Sequence, residues 1–207
     1  MEIFCNSELG NKPMKRLSLY LFLRLFTLQT PSWADDISDI EIEGISIGDS
    51  LLKIMSKDEI EFQMEQMYKS KKFSTVIYHK TEIYDSIQFS FLTDDDSFII
   101  KDIEAKLIFK YDIKSCLKKQ EEISKSIKEI IGNHTNYLPI EKGVRKADPS
   151  GKSFMYAEAF TYNGNESMVQ IYCTDWSKDF EKKDWHDELK VSIWSDSFSK
   201  FLETEAY

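Results

Sequence analysis

The segment from Asp112 to Gly132 constrains the fold most, because it is the only long stretch of the chain with a clear helical pattern. Its apolar residues follow the i, i+3, i+4 spacing of one buried face: Ile113, Cys116, Leu117, Ile123, Ile127, Ile130 and Ile131. Asp112 is suited to the N-cap and Gly132 to the position after the C-terminus. We therefore predict a central helix about 30 Å long. Its apolar face carries no acid, base or ligand cluster, so it predicts a core element and no chemistry.

The N-terminal region has the three parts of a secretory signal peptide in the right order. Lys15 and Arg16 precede an apolar run from 17 to 28, and Ser32-Trp33-Ala34 is a small-x-small cleavage motif. The run is interrupted by Arg24 and is shorter than the roughly 20 residues of a bilayer-spanning helix. We predict that residues 1–34 are a signal peptide, with Met14 as an alternative start, and that 35–207 are a single mature domain. The other reading is a leader retained as a membrane anchor.

Charge excludes two classes of partner. The 207-residue chain has a formal charge of −9, and removal of residues 1–34 would take away four basic and two acidic residues and leave −11. Arg145 would then be the only arginine. Nucleic acids and anionic membrane surfaces both require clustered cations, so we expect no nucleic-acid partner and no stable membrane span after cleavage.

The first part of the mature chain predicts short elements. Residues 35–44 suggest a short edge strand, and Asp49 is suited to cap a short helix over 51–55. Ser56 and Glu59 have capping-box spacing for a second helix. The buried face of that helix is predicted to consist of Ile60, Met64, Met67 and Tyr68.

Period-two patterns before and after the central helix predict six strands. The first set covers 73–78, 87–92 and 98–109, and the second covers 154–162, 167–174 and 189–194. Residues 133–152 contain two prolines and two glycines and are predicted to be a surface loop, and Asp196 is predicted to cap a last helix over 198–206. The chain is thus predicted to be α+β, with one or two antiparallel sheets built from two three-stranded meanders and packed against a long central helix and shorter terminal helices.

This element order resembles small envelope modules in which helices pack on a three-stranded antiparallel sheet, as in the outer-membrane assembly lipoprotein family and the tandem β-lactamase inhibitor proteins. No lipobox cysteine follows the signal in this chain. The leader residues Leu-Gln-Thr-Pro-Ser-Trp-Ala-Asp-Asp, the stretch Ile45–Leu52 and the stretch Cys173–Ser177 also resemble an uncharacterised family of small exported proteins of marine alphaproteobacteria. That resemblance implies a periplasmic or secreted location and implies no activity.

Cys116 and Cys173 are the two cysteines that follow the predicted leader. Cys116 lies on the apolar face of the predicted helix, and Cys173 shares a strand face with Val169 and Ile171, so both thiols should point into one core. In an exported protein such a pair predicts a disulfide bond. The alternative is two buried, reduced cysteines.

Candidate binding residues lie in the charged stretch between the last two predicted strands. Trp176, Trp185 and His186 are predicted to contact a ligand or partner, or to pack over the sheet edge. His79, His134 and His186 lack metal-ligand spacing, and no cofactor motif is present, so we expect no metal and no cofactor. No residue has a catalytic signature. An imidazole beside carboxylates at 184–188, with a serine such as Ser177, leaves a hydrolase as the alternative.

The sequence therefore predicts an exported periplasmic or secreted protein that binds an envelope protein or a small ligand without catalysis. A small periplasmic hydrolase using His186 is the alternative. A third hypothesis is a subunit whose sheet is completed by a partner protein.

Overall fold

The computed structural model describes residues 36–131, 135–162 and 164–206, all of which belong to the compact unit Ala34–Tyr207. The predicted signal peptide lies outside these residues, as do Gly132 and His134. The strands are β1 (Glu41–Ile42), β2 (Ile45–Ser46), β3 (Phe73–Tyr78), β4 (Ser86–Leu92), β5 (Ile100–Ile108), β6 (Thr135–Val144), β7 (Phe154–Tyr162), β8 (Met168–Asp175) and β9 (Glu188–Trp194). The α-helices are α1 (Lys57–Gln63), α2 (Ile113–Ile131), α3 (Lys178–Glu181) and α4 (Asp196–Thr204).

Seven of the strands form one antiparallel sheet with the order β3-β4-β5-β9-β8-β7-β6. The predicted α+β class is confirmed. The two sets of strands meet where β5 pairs with β9, with Ile103 opposite Ile193 and Ala105 opposite Val191. The protein therefore has one continuous large sheet, and a separate two-stranded sheet is formed by β1 and β2.

Strand β6 corrects the prediction of a surface loop over 133–152. Thr135–Val144 pairs with β7, and the register shifts by a bulge between Leu138 and Glu141. Pro139 lies in that bulge and Gly143 in the following stretch, and both residues weaken a strand pattern in the sequence. β6 is held to the core by Tyr137, whose hydroxyl donates to the buried carboxylate of Glu158 (2.9 Å).

Helix α2 packs on β8 and β9. It begins as predicted, because the Asp112 carboxylate accepts the backbone N–H of Ser115 (3.1 Å). Its buried residues are Cys116, Gln120, Ser124, Ile127 and Ile131. Ile130, predicted to be buried, is about half exposed. The two polar residues fit this face because Gln120 donates to the carbonyls of Tyr156 and Ile171 (both 3.1 Å) and Ser124 donates to Glu158 (2.8 Å).

The segment before α1 adds isoleucines to the same hydrophobic core as α2. This segment is hydrogen-bonded to the start of β5, for example through the Gly48 N–H, which donates to the Ile100 carbonyl (3.0 Å). Residues Leu51–Lys53 form a 3-10 helix capped by Ser50, so the predicted Asp49 cap is wrong. Asp49 instead accepts the N–H of Ser46 and pairs with Lys53.

Helix α1 begins with the predicted capping box, in which Ser56 and Glu59 exchange hydrogen bonds. It ends at Gln63, earlier than the sequence pattern predicts, and Ile60 is its buried residue. Met64 and Met67 are exposed, so their predicted place in a buried face is wrong. The chain leaves the helix because Glu65 pairs with Thr75 on the edge of β3.

The last helix, α4, contributes Phe198 and Phe201 to a second hydrophobic cluster, in which they pack against Phe73 of β3. The rings of Phe73 and Phe201 lie 4.6 Å apart. Its N-cap is Ser195, which accepts the N–H of Phe198, and not Asp196 as predicted. Asp196 is the first residue of the helix, where its carboxylate pairs with Lys200 (2.8 Å).

Candidate functional site

The predicted binding residues lie in the aromatic loop, residues 176–186. Trp176 is buried at 3% exposure, stacks on Phe180 (ring centroids 5.2 Å apart) and meets Trp185 edge-on (4.5 Å). Trp185 is about half exposed. Trp185 and His186 both line a shallow cavity of about 420 Å³. Trp176 builds a small core inside the loop and lines the same cavity, and ligand or partner contact by Trp176, Trp185 and His186 stays a prediction.

The serine and histidine of the hydrolase alternative lie on different cavities. His186 Nε2 is 3.4 Å from the Asp184 carboxylate, and its ring meets Tyr111 edge-on. Ser177 lines a separate cavity of about 520 Å³. Within the described part of the chain no hydrogen bond joins Ser177 to His186, so no nucleophile–base contact supports this alternative.

Asp187, one of the carboxylates next to His186, has a structural partner. It is buried and accepts the backbone N–H of Trp176 (3.0 Å). Burial raises the pKa of this carboxyl group above its ordinary value, although the hydrogen bond from Trp176 opposes the shift. Asp187 therefore fixes the start of the aromatic loop and does not orient the imidazole.

The predicted disulfide bond between Cys116 and Cys173 is confirmed. It joins α2 to β8 with the two Cα atoms 6.0 Å apart, and both residues are fully buried. Because neither sulfur is accessible to solvent, the bond is a structural link and has no feature of an exposed redox centre.

A groove of about 600 Å³ lies beside α2, and we call it the α2 groove. Its floor is formed by Val169, Val191 and Ile193 on β8 and β9. One wall is the exposed side of α2, and the other is the chain leading into β1. The apolar wall residues are Ile123, Ile127, Ile130, Ile40 and Ile42. The groove therefore lies where the two elements that cover this face of the sheet fail to meet.

Polar side chains of the groove are confined to its rim, and most are already paired. Lys119 forms an ion pair with Glu122 (3.3 Å), and the Ser126 hydroxyl donates to the Glu122 carbonyl (3.2 Å). The Asp39 carboxylate accepts the N–H of Asp36 (3.1 Å). With Glu41, the rim has three carboxylates and one ammonium group. Nothing in this arrangement activates a nucleophile, whereas the apolar floor favours binding of an apolar body.

Tyr84 closes one end of the groove, and its loop is fixed by Glu43 at the turn between β1 and β2. The Glu43 carboxylate accepts the N–H groups of Glu82, Ile83 and Tyr84 (3.0, 2.9 and 3.2 Å). Partial burial acts to raise the pKa of Glu43, but these three hydrogen bonds hold it below its ordinary value. Burial, with a contribution from Glu43, raises the pKa of Tyr84, so the phenol is neutral at physiological pH.

No family model, no curated protein and no solved structure matches this chain. The two resemblances stated from the sequence therefore stay predictions, and the function rests on the geometry of this molecule alone.

The described residues also limit the chemistry that can be assigned. No group of three or more His, Cys, Asp or Glu side chains among them is arranged to hold a metal ion. None of the helices in the same ranges is long and apolar enough to cross a membrane.

Sequence reasoning missed the α2 groove because its residues come from five separate parts of the chain. Val169, Val191 and Ile193 were predicted only as strand core. At about 100° per residue, Ile123 and Ile130 lie within about 40° of Cys116 around the helix, so the sequence pattern places all three on one buried face and gives no separate signal for the groove.

Proposed function

We propose that this protein is an exported, non-catalytic binding protein of the cell envelope, and that it holds an apolar small molecule in the α2 groove. The observation that carries the proposal is a groove of about 600 Å³ whose lining is mainly apolar. Ile123 and Ile130 on α2 are partly exposed there, whereas the strand residues at its floor are buried. Sites for small molecules have volumes of about 300–1,000 Å³ and are lined mainly by apolar side chains. The cavity falls in this range.

Export is supported by two independent features. The first is the order of basic, apolar and small-x-small segments over residues 1–34. The second is the Cys116–Cys173 bond, since disulfides persist in oxidising compartments and are rare in the cytosol. A periplasmic or secreted location fits both features.

The charge of the rim restricts the ligand. Three carboxylates, on Asp39, Glu41 and Glu122, face one ammonium group, which is already paired. The whole chain is also acidic, with a formal charge of −9. An anionic ligand would be repelled, so the ligand has an apolar body and a neutral or cationic polar end.

The proposal is tested with N-phenyl-1-naphthylamine, a neutral apolar dye that becomes fluorescent in apolar sites. We expect saturable binding to the purified protein. Ser126→Trp places an indole at the mouth of the groove from an exposed position of α2, and it should weaken dye binding at least tenfold. Dodecylamine should displace the dye at lower concentration than dodecanoate.

Lys125→Trp is the matched control, because it adds the same indole at the neighbouring exposed position, which does not line the groove. It should bind the dye like the unmodified protein. Absence of saturable binding, or equal affinity in the two tryptophan variants, would overturn the assignment to the α2 groove. Stronger displacement by dodecanoate would overturn the assigned ligand charge.

A further inference from the structure

Strand β6 is a long and unprotected edge of the sheet. It has ten residues, and all except Thr135 are exposed. No other described strand or helix pairs with its outer side. Exposed backbone groups of this kind can pair with a strand of another chain.

The opposite edge of the sheet is partly blocked. On β3, Thr75 exchanges both backbone hydrogen bonds with Glu65 (2.8 Å each). The two edges therefore differ, and β6 is the edge that is open to pairing.

The bulge on β6 divides this edge into two halves. It lies between Leu138 and Glu141 and contains Pro139, which has no N–H to donate. A continuous ladder across the whole strand is therefore excluded. The half after the bulge, Glu141–Val144, continues regularly to Arg145, whose N–H donates to Ser153 C=O (2.9 Å).

The hydrogen bond of Arg145 sets the direction of the backbone groups before it. In an antiparallel ladder, the N–H and C=O groups of one residue both point toward the paired strand, and those of the next residue both point away from it. Arg145, Gly143 and Glu141 therefore point toward β7. Lys142 and Val144 point their N–H and C=O groups outward.

Two-fold symmetry limits how this half could pair with a copy of itself. A two-fold axis perpendicular to the sheet leaves each side chain on the same face of the sheet. Residues that lie opposite each other in an antiparallel pair also share a face, so the axis must pass between one residue and its own copy. An axis at Glu141 or at Lys142 would place two like charges opposite each other. An axis at Val144 would place Lys142 of one copy opposite Lys146 of the other. Centring on Gly143 places Glu141 opposite Arg145 and Lys142 opposite Val144.

Both charged members of this register lack an ion-pair partner within the described part of their own chain. Glu141 is exposed. The Arg145 guanidinium donates to the sulfur of Met155 (3.8 Å) and lies over the ring of Trp176 (5.9 Å to the centroid), and neither contact is with a carboxylate. The register would also cover the exposed side chain of Val144 with the aliphatic stem of Lys142. Gly143 offers open space at the axis, because nothing lies within 4 Å of where its Cβ would be.

We propose that two copies of this protein form a two-fold dimer by antiparallel pairing of residues 141–145, with Gly143 on the axis. The pairs Lys142–Val144 exchange backbone hydrogen bonds, and Glu141 of each copy pairs with Arg145 of the other. The two sheets thereby become one continuous sheet of fourteen strands. This surface is separate from the α2 groove and does not depend on the proposed ligand.

A charge exchange tests the register directly. Sedimentation velocity over a hundredfold range of concentration should show the purified protein passing from monomer to dimer. Glu141→Arg and Arg145→Glu each place like charges opposite each other and should weaken association at least tenfold. The double variant restores opposite charges in both pairs and should dimerise within about threefold of the unmodified protein. Circular dichroism confirms that each variant is folded.

Amide exchange followed by nuclear magnetic resonance tests the same contact without substitution. Raising the protein concentration should slow exchange at Lys142 and Val144 and leave Tyr137, before the bulge, unchanged. A protein that stays monomeric throughout, or single variants that dimerise normally, would overturn the proposal. So would a folded double variant that stays monomeric, or protection of Tyr137 together with Lys142.

Discussion

Asp102 on β5 shows how one buried carboxyl group makes stability depend on pH. It is 3% exposed, lies opposite Trp194 of β9, and accepts a hydrogen bond from Ser90 (2.7 Å). Burial raises its pKa well above the ordinary value, with a smaller contribution from Glu104, and the hydrogen bond from Ser90 opposes this. The folded protein therefore holds this proton more tightly than the unfolded chain does.

From this shift we predict that Asp102 lowers the free energy of unfolding as pH rises. The loss begins near the ordinary aspartate pKa of about 3.9 and continues until the pH passes the raised pKa of the folded state. Asp102→Asn keeps an acceptor for Ser90 but has no charge. It should be more stable than the unmodified protein at pH 8, by about 1–2 kcal/mol, and the difference should shrink at pH 5.

Urea unfolding at the two pH values measures this difference. Asp94→Asn, which makes the same chemical change at an exposed position in the turn after β4, is the control and should leave stability within about 0.5 kcal/mol of the unmodified protein. An Asp102→Asn variant that is less stable than the unmodified protein at pH 8 would show that the carboxylate form is the stabilising one.

Among the elements, α2 and β8 are joined by the covalent bond between Cys116 and Cys173, which lie 57 residues apart in sequence. Closing a loop of this length restricts the unfolded chain by about 4 kcal/mol in the chain-entropy treatment. That value is a large part of the 5–15 kcal/mol, roughly, that stabilises a typical domain. The long helix is thus attached to the sheet by more than its apolar face.

We predict that the double variant Cys116→Ala/Cys173→Ala loses about 4 kcal/mol or more of unfolding free energy, since it also leaves a small cavity. Chemical denaturation under non-reducing conditions measures the change. The reduced, unmodified protein should lose a similar amount, whereas equal stability of the oxidised and reduced forms would contradict the prediction.

The elements that the sequence predicted correctly are those whose residues act locally. Periodicity and capping residues predict the helix from Asp112 and the capping box at Ser56. Period-two patterns predict the strands of the second meander. Strand β6 was missed because its bulge and Pro139 break the period-two pattern, and only pairing with β7 makes it a strand. The disulfide could be predicted because each cysteine lies on an apolar face of its own element. The α2 groove could not, because it depends on how two distant segments cover one sheet.

On the scale of the whole molecule, β5 and β9 make the first and second halves of the chain into one sheet. Ile103 and Ala105 of β5 share a hydrophobic cluster with Val191 and Ile193 of β9 and with Cys116 of α2. Neither half can unfold without exposing the buried side chains of the other. We therefore expect the two halves to unfold together.

We expect one two-state unfolding transition for the described domain. Tryptophan fluorescence reports on the aromatic loop and on Trp194 of β9, and far-ultraviolet circular dichroism reports on the whole sheet. The two curves should have the same urea midpoint. A tryptophan signal that is lost at a clearly lower urea concentration would mean that the aromatic loop or the second half unfolds on its own.

The same disulfide has a mechanical consequence. The 57-residue loop that it closes contains β6, β7 and most of β8, and therefore the free edge at Glu141–Val144. A force applied to β6 is transmitted along one arm of this covalent ring to α2 and along the other, through β7, to β8, and the extension of the chain stops at the sulfur–sulfur bond. A protein tethered by this edge would therefore yield only a limited length of chain under tension, and it could recover its shape once the load is released.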